Sequence, residues 1–373
     1  MFEVFVAPAW NYYVFNDFHC HLRIARLPLT IHPAWLMLAL NDSGGPMTNH
    51  AASQLRARQF ALLVALTIPI SALADNWQVQ VGAQTGDKAY QALAFLPNEL
   101  WIHAGDSITW TFPTSELHSV TFLTAGQIRP SRLVGCTGTN STPDFSVVDG
   151  SSCVNSGILT DGATYTVVFP ETGNFKAVCL AHNDQTGTVH VLDPSALLPH
   201  DQAFYDQQAN KQRARLISDA RNAAQVTTDH DTVIAGAGKI HGTSGGTETA
   251  SVMRFMDETK VIHVGETVEW TTSEAVTNHT ITFGPEPDAL HQIPPSSNVT
   301  VDPDGARHAY INSPSDAVHS GFITQAPQDR TGLAQAPLGV TRFRVTFAQP
   351  GIYPYICVLH DGLGMHGKVI VLP

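Results

Sequence analysis

Residues 343–371 read FRVTFAQPGIYPYICVLHDGLGMHGKVIV. The first five residues alternate large apolar with polar side chains, which is the period-two pattern of a strand with one buried face. After a Pro-Gly turn a second apolar run ends at Cys357, and His360 and Met365 follow before the chain becomes apolar again. The stretch predicts two strands, a short loop that carries sulfur and imidazole groups, and a third strand.

The pattern of this stretch occurs twice in the chain. Four pairs of segments match in the same order and at similar separations: 95–110 with 255–270, 117–122 with 278–283, 155–159 with 319–323, and 165–179 with 343–357. Each copy holds several short alternating runs broken by Gly, Pro, Asp and Asn, which predict short antiparallel strands and are typical of a β-sandwich. The sequence therefore predicts an all-β protein with two tandem sandwich domains, residues 75–193 and 230–373.

The segment between the copies, residues 194–229, is expected to be a helical linker. Residues 201–224 contain no Gly or Pro and are rich in Ala, Gln and Arg, which favours a helix. The apolar side chains near one face of this helix are Tyr205, Ala209, Leu216 and Ala220. A spacer helix packed against one of the two sandwiches is the predicted role.

Composition limits the classes of function. The chain has 373 residues, of which 43% are hydrophobic and 14% charged, so it is too apolar for a disordered protein. Lys and Arg number 20 against 32 Asp and Glu, giving a formal charge of -12. That sign disfavours a protein that binds phosphate backbones, so no nucleic-acid partner is expected.

A targeting signal is predicted upstream of the first copy. Arg56 and Arg58 precede the apolar run 60–70, and Ala72 and Ala74 have the spacing of a cleavage site. Residues 47–74 are therefore interpreted as a signal peptide, and residues 1–46 as a non-native or disordered extension. The apolar run is too short to span a bilayer, which needs about 20 residues, and a buried core helix is the alternative. An exported protein, periplasmic or extracellular, is expected, with no membrane span in the mature chain.

The loop of the second copy carries a set of potential metal ligands. Cys357, His360 and Met365, with His279 upstream, offer one thiolate, two imidazoles and one thioether. This is the ligand set of a blue-copper site, since soft sulfur with imidazole suits copper in two oxidation states. A buried free thiol beside unrelated histidines is the structural alternative. Zinc is the alternative metal, although one Cys with one Met fits its closed sites poorly.

The Cys-x2-His-x4-Met loop, with His279 before it and an apolar strand after it, resembles the cupredoxins, the plastocyanin/azurin-type blue copper family. The resemblance covers both copies and implies Greek-key β-sandwiches, with one type 1 copper bound by the four donors of the second copy. Many members of the family carry Asn after the first His, where this chain has Thr280 and, in the first copy, Ser119.

The first copy carries a variant of the same ligand set. His118, Cys179 and His182 match the three strong ligands, and Gln185 stands at the position of the axial Met. The shorter loop resembles that of amicyanins, and an axial Gln resembles that of stellacyanins, so a second copper is expected here. The alternative is a copy that no longer binds metal, which leaves one or two coppers per chain.

Two further cysteines, Cys136 and Cys153, lie in an insertion rich in Gly, Ser and Thr. In an exported protein, a disulfide that closes this loop is favoured over a metal or redox role.

The resemblance implies an electron carrier rather than an enzyme, with a redox protein such as a cytochrome or a copper enzyme as partner. It implies that the imidazoles of His182 and His360 are partly exposed edges where electrons enter or leave. The apolar neighbours expected to form the docking surface are Leu180, Ala181, Val358, Leu359 and Leu363. The alternatives are a copper-dependent oxidoreductase of the nitrite reductase or two-domain laccase type, and a copper storage or delivery protein.

Overall fold

A computed structural model of the chain describes residues 74–130, 135–136, 146–274, 276–288, 294–325 and 339–373. The predictions of an upstream extension and a signal peptide fall on residues 1–73 and so lie outside the described residues. Within the described part, no helix combines the length and the apolar character needed to cross a bilayer.

The first half of the described chain is built from ten strands, and residues 76–192 are called the first sandwich below. They are β1 (Asn76–Gln84), β2 (Tyr90–Leu96), β3 (Glu99–His103), β4 (Ser107–Phe112), β5 (Thr121–Phe122), β6 (Ser146–Val147), β7 (Val154–Asn155), β8 (Ala163–Val168), β9 (Gly173–Val178) and β10 (Thr186–Leu192).

One helix, α1 (Gln202–Ala223), follows, and thirteen described strands form the second sandwich, residues 232–372. They are β11 (Thr232–Gly242), β12 (Thr247–Met256), β13 (Thr259–His263), β14 (Thr267–Ser273), β15 (Thr282–Phe283), β16 (Thr300–Val301), β17 (Arg307–Ile311), β18 (Val318–His319), β19 (Phe322–Ile323), β20 (Gly339–Val340), β21 (Arg342–Phe347), β22 (Gly351–Ile356) and β23 (His366–Leu372). A 3₁₀ turn, Asp361–Leu363, lies between the last two strands.

The two sandwiches share one strand order. One sheet of the first sandwich runs β3-β10-β9-β5-β7, and its counterpart in the second runs β13-β23-β22-β15-β18. Apolar residues alternate into each core as the sequence predicts, with every second residue of β4 and of β21 buried. Trp110 and Trp270 are buried at equivalent places in the two cores. The prediction of an all-β chain with two tandem Greek-key sandwiches joined by a helical linker is confirmed.

The strand pairing differs from the sequence prediction in one respect. The sequence predicts antiparallel strands, but β1 pairs with β4 in parallel, as does β3 with β10. The second sandwich repeats this arrangement in β11 with β14 and β13 with β23. Period-two patterning gives which face is buried, and the direction of the neighbouring strand is set by the topology.

The other sheets of the two sandwiches are one continuous sheet of eleven strands. Its order is β16-β17-β21-β14-β11-β12-β2-β1-β4-β8-β6, and its centre is the antiparallel pair β2 and β12. Ala92 lies opposite Ala250 in that pair. Because β2 and β12 would each be an edge strand in an isolated sandwich, their pairing removes two edges at once.

Helix α1 packs across this junction. The Asp201 side chain accepts a hydrogen bond from the N–H of Phe204 and caps the N-terminus. Leu216 and Ala220 are buried in a cluster that holds residues of β2 and β12 together. The prediction that the helix packs against one sandwich is therefore wrong, because its apolar face covers the seam between the two.

Cys136 and Cys153 form the predicted disulfide, with Cα atoms 5.7 Å apart.

Candidate metal centres

Among the described residues, two groups of side chains could hold a metal ion, one in each sandwich. In the first group, the ligand atoms of His118, Cys179 and His182 lie within 4.8 Å of one another, and all three residues are buried. Cys179 follows β9, and the His118 backbone pairs with Leu159 in an isolated antiparallel bridge. The sulfur of Cys179 lies 3.7 Å from Nδ1 of His182.

The second group has the same geometry. His279, Cys357 and His360 satisfy the same 4.8 Å limit and are also buried. The Cys357 sulfur lies 3.9 Å from Nδ1 of His279 and 3.4 Å from Nδ1 of His360. The two imidazole centroids are 5.0 Å apart here and 4.9 Å apart in the first group, with the ring planes at 59° in both.

A hydroxyl group supports each cysteine loop where many relatives carry Asn. The Ser119 hydroxyl accepts a 2.7 Å hydrogen bond from the N–H of Leu180, and the Thr280 hydroxyl accepts one of 2.9 Å from the N–H of Val358. The N–H groups of Ser119 and Thr280 also point at the cysteine sulfurs, at 3.3 Å and 3.4 Å. Each hydroxyl residue thus fixes the cysteine loop to the strand that carries the first histidine.

Gln185 and Met365 occupy equivalent places. The carbonyl of each accepts the N–H of the cysteine in its own loop, at 3.0 Å for Gln185 and 3.1 Å for Met365. The side-chain oxygen of Gln185 lies 2.8 Å from Nδ1 of His118. The Met365 side chain is fully buried in the cluster that contains Cys357.

The ring of the first histidine in each group packs against a glycine. Gly82 has φ of +75° and lies at a bulge of β1, and Gly236 has φ of +72° at the corresponding bulge of β11. A Cβ at Gly82 would collide with the ring of His118, and one at Gly236 with the ring of His279. Glycine is needed at both places, because the ring fills the space a side chain would take.

The surroundings of each cysteine favour the thiolate over the thiol. Burial by itself would raise the pKa of the Cys179 thiol, but hydrogen bonds from His118 and His182 and the charge of the imidazoles lower it well below its ordinary value. Burial opposes the same change at Cys357, where the charge of His360 and a hydrogen bond from His279 lower the pKa. A thiolate is the form of cysteine that binds metal.

A carboxylate lies between the two groups. Oε1 of Glu116 is 3.2 Å from Nε2 of His182, and Oε2 is 3.9 Å from Nε2 of His360. Burial would raise the pKa of Glu116, but the hydrogen bond with His182 and the nearby imidazoles hold it at about 2. Burial would likewise lower the pKa of His182, while Cys179 and Glu116 raise it to about 10.

The expectation of exposed histidine edges is wrong. Only 2% of His182 and 4% of His360 is exposed, because the two sandwiches meet where each would face solvent in an isolated sandwich. Three of the five residues of the expected docking surface are buried as well, and the other two, Ala181 and Leu359, are partly exposed. Leu180 and Val358 are each 6% exposed, and Leu363 packs with residues of β2 and β12.

Arginines brace both loops. Arg129 donates hydrogen bonds to the carbonyls of His182 and Asn183, at 3.0 Å and 2.8 Å. Arg254 donates to the carbonyl of Leu363 at 2.8 Å. Sequence reasoning missed these arginines and Glu116. The difference between the copies is visible in the sequence, since Thr277 stands where the first copy has Glu116, but its approach to His360 depends on how the sandwiches join.

Residues 241–372 match the family of copper binding proteins described as plastocyanin/azurin. Residues 241–372 form a cupredoxin domain. The match falls on the second sandwich, and the first sandwich has the same strand order and the same cluster geometry.

Solved structures of cupredoxins resemble parts of the chain. An oxidized mutant of amicyanin is 18% identical, with 31% of this chain and 81% of that chain covered and a TM-score of 0.22. Plastocyanin from Dryopteris crassirhizoma is 19% identical, with 38% of this chain and 99% of that chain covered and a TM-score of 0.20. A purple cupredoxin from Nitrosopumilus maritimus is 21% identical, with 31% of this chain and 99% of that chain covered and a TM-score of 0.20. No curated protein matches the chain in sequence.

The residues of both groups fit copper. Each group offers one buried cysteine sulfur and two imidazoles, and the ligand atoms of the three residues lie within 4.8 Å of one another. A buried thiolate without a cation is costly, and soft sulfur with imidazole suits copper in both of its oxidation states. The two His-Cys-His groups therefore suit copper, in keeping with the copper-binding family that residues 241–372 match.

Proposed function

We propose that this chain is an exported electron carrier with two type 1 copper centres, which take up and pass on one electron at a time. Copper bound at these ligands supplies the one-electron redox couple. The observation that carries the proposal is the matched pair of buried His-Cys-His groups, with nearly the same ring geometry in both sandwiches. Two such sites in one chain favour electron relay over a single-centre carrier.

The two centres are proposed to differ in their weak axial ligand. His279, Cys357, His360 and Met365 would bind copper in the second sandwich. His118, Cys179, His182 and Gln185 would bind it in the first, with the Gln185 oxygen already turned towards the ligand atoms. An amide oxygen is a harder donor than a thioether and favours oxidised copper, so the first centre should have the lower potential.

The partner is proposed to be another redox protein, such as a cytochrome or a copper enzyme. Because His182 and His360 are buried, the partner is proposed to meet the chain at a surface other than the two histidine edges. The disulfide between Cys136 and Cys153 is in keeping with an oxidising compartment outside the cytoplasm.

Copper content and the visible spectrum test this function in the full chain and two variants. We expect two coppers and blue thiolate-to-copper absorption in the wild type, and one copper in each of Cys179→Ser and Cys357→Ser, because a serine hydroxyl cannot replace the thiolate. Each variant is the control for the other. A copper retained in Cys179→Ser and lost in Cys357→Ser would contradict the first centre, and more than two coppers would favour a copper-dependent oxidoreductase.

A further inference from the structure

We propose that Glu116 connects the two centres, so that an electron passes between them inside the chain through the imidazoles of His182 and His360. The inference rests on the proposed function and extends it, since it assigns the internal route and the residue that carries it.

The geometry sets out a continuous chain of groups. Nδ1 of His182 faces the Cys179 sulfur at 3.7 Å, and Nδ1 of His360 faces the Cys357 sulfur at 3.4 Å. The opposite nitrogen of each ring, Nε2, therefore points out of its own group. Both Nε2 atoms approach the same carboxylate, at 3.2 Å and 3.9 Å. Sulfur, imidazole, carboxylate, imidazole and sulfur follow one another from the first sandwich to the second.

Glu116 is buried between the imidazoles of the two groups, unlike a carboxylate in a surface ion pair. Its side chain is 7% exposed, and the two imidazoles beside it are 3% and 4% exposed. A buried carboxylate costs several kcal/mol unless charged or polar partners compensate it. The partners that approach it here come from both loops, so its position depends on the junction of the two sandwiches.

Glu116 comes from one sandwich alone. It lies two residues before His118, and Thr277 stands at the corresponding place before His279. The carboxylate that approaches both His182 and His360 thus comes from the first sandwich. A negative charge next to both imidazoles stabilises the more positive, oxidised state of each centre, so its removal should raise both potentials.

The electron transfer balances without other reactants. One centre loses one electron as the other gains it, no bond is broken, and no proton needs to move. The lower potential expected with an axial amide makes the first sandwich the donor and the second the acceptor.

The test uses the full copper-loaded chain and three variants. Glu116→Leu removes both the charge and the hydrogen-bond acceptor, and Glu116→Gln removes the charge but keeps the shape. Glu99→Gln is the matched control, because Glu99 is also buried and its Oε1 also lies 3.2 Å from an imidazole nitrogen, that of His190, in a pair outside both metal groups. Copper content is measured first. Pulsed one-electron reduction then gives the first-order rate between the centres, and redox titration gives both potentials.

We expect Glu116→Leu to slow the internal transfer by about tenfold or more, because the hydrogen bond to His182 and the contact with His360 are both lost. We expect Glu116→Gln to raise the potentials of both centres, and Glu99→Gln to leave rate and potentials unchanged. An unchanged rate in Glu116→Leu with both coppers bound would overturn the inference.

If Glu116→Leu loses copper, the potentials measured in Glu116→Gln test the inference instead. A rise in the potential of the first centre alone would contradict the link to His360. A wild-type chain with fewer than two coppers is a separate outcome. It would overturn the proposed function itself, and the inference with it, before any rate is measured.

Discussion

At the scale of single residues, the metal groups depend on atoms that bind no metal. Ser119 and Thr280 fix the cysteine loops through their hydroxyl groups, at 2.7 Å and 2.9 Å from the next backbone nitrogen. Gly82 and Gly236 give the first histidines the space that their rings occupy. Such supporting contacts hold the ligands at the positions the metal requires.

The glycine bulge leads to a prediction for Gly236→Ala. The new Cβ collides with the ring of His279, so we expect loss of the second copper while the first remains. Gly265→Ala is the control, because Gly265 also has a positive φ, +88°, but has open space where its Cβ would lie. Both variants should lose roughly 1–2 kcal/mol of unfolding free energy from the left-handed backbone. Copper content after dialysis distinguishes them, and equal copper in the two variants would contradict the role assigned to Gly236.

At the scale of elements, helix α1 is a clamp across the junction of the two sandwiches. Tyr205 donates its hydroxyl to the carbonyl of Trp101 in β3, and Gln212 donates to Asn98 just before that strand, at 2.9 Å. Towards β12, Arg215 pairs with Glu248, a fully buried carboxylate. The helix therefore contacts each sandwich through polar pairs as well as through its apolar face.

Because the pair of Arg215 and Glu248 joins helix α1 to β12, we expect Arg215→Ala to be strongly destabilising. It leaves the buried charge of Glu248 without its cation, and removing one partner of a buried pair costs about 3–5 kcal/mol. The Arg215 side chain is 41% exposed and only Glu248 is buried, so we expect the lower end of that range. Arg213→Ala, which removes an exposed arginine of the same helix, should change the unfolding free energy little. Urea unfolding measures both, and equal losses in the two variants would argue against the clamp.

At the scale of the whole molecule, the eleven-stranded sheet decides what the two sites can do together. Alternating patterns and the two Cys-His loops predict the sandwiches and the six strong ligands, because these features are local in sequence and occur twice. Periodicity does not predict that β2 pairs with β12. It predicts only that each is a buried strand and says nothing of which strand lies beside it. That pairing buries His182 and His360 and brings Glu116 to both, which is why exposed histidine edges were expected and are not found.

The most direct measurement is electron paramagnetic resonance of the fully oxidised chain, with copper quantified in the same sample. We expect two Cu(II) spins per chain that broaden each other through their magnetic dipoles. We also expect this broadening to disappear in Cys179→Ser and in Cys357→Ser, each of which keeps one spin. A single spin per chain, or two spins without any dipolar interaction, would contradict the claim that two type 1 centres face each other across Glu116.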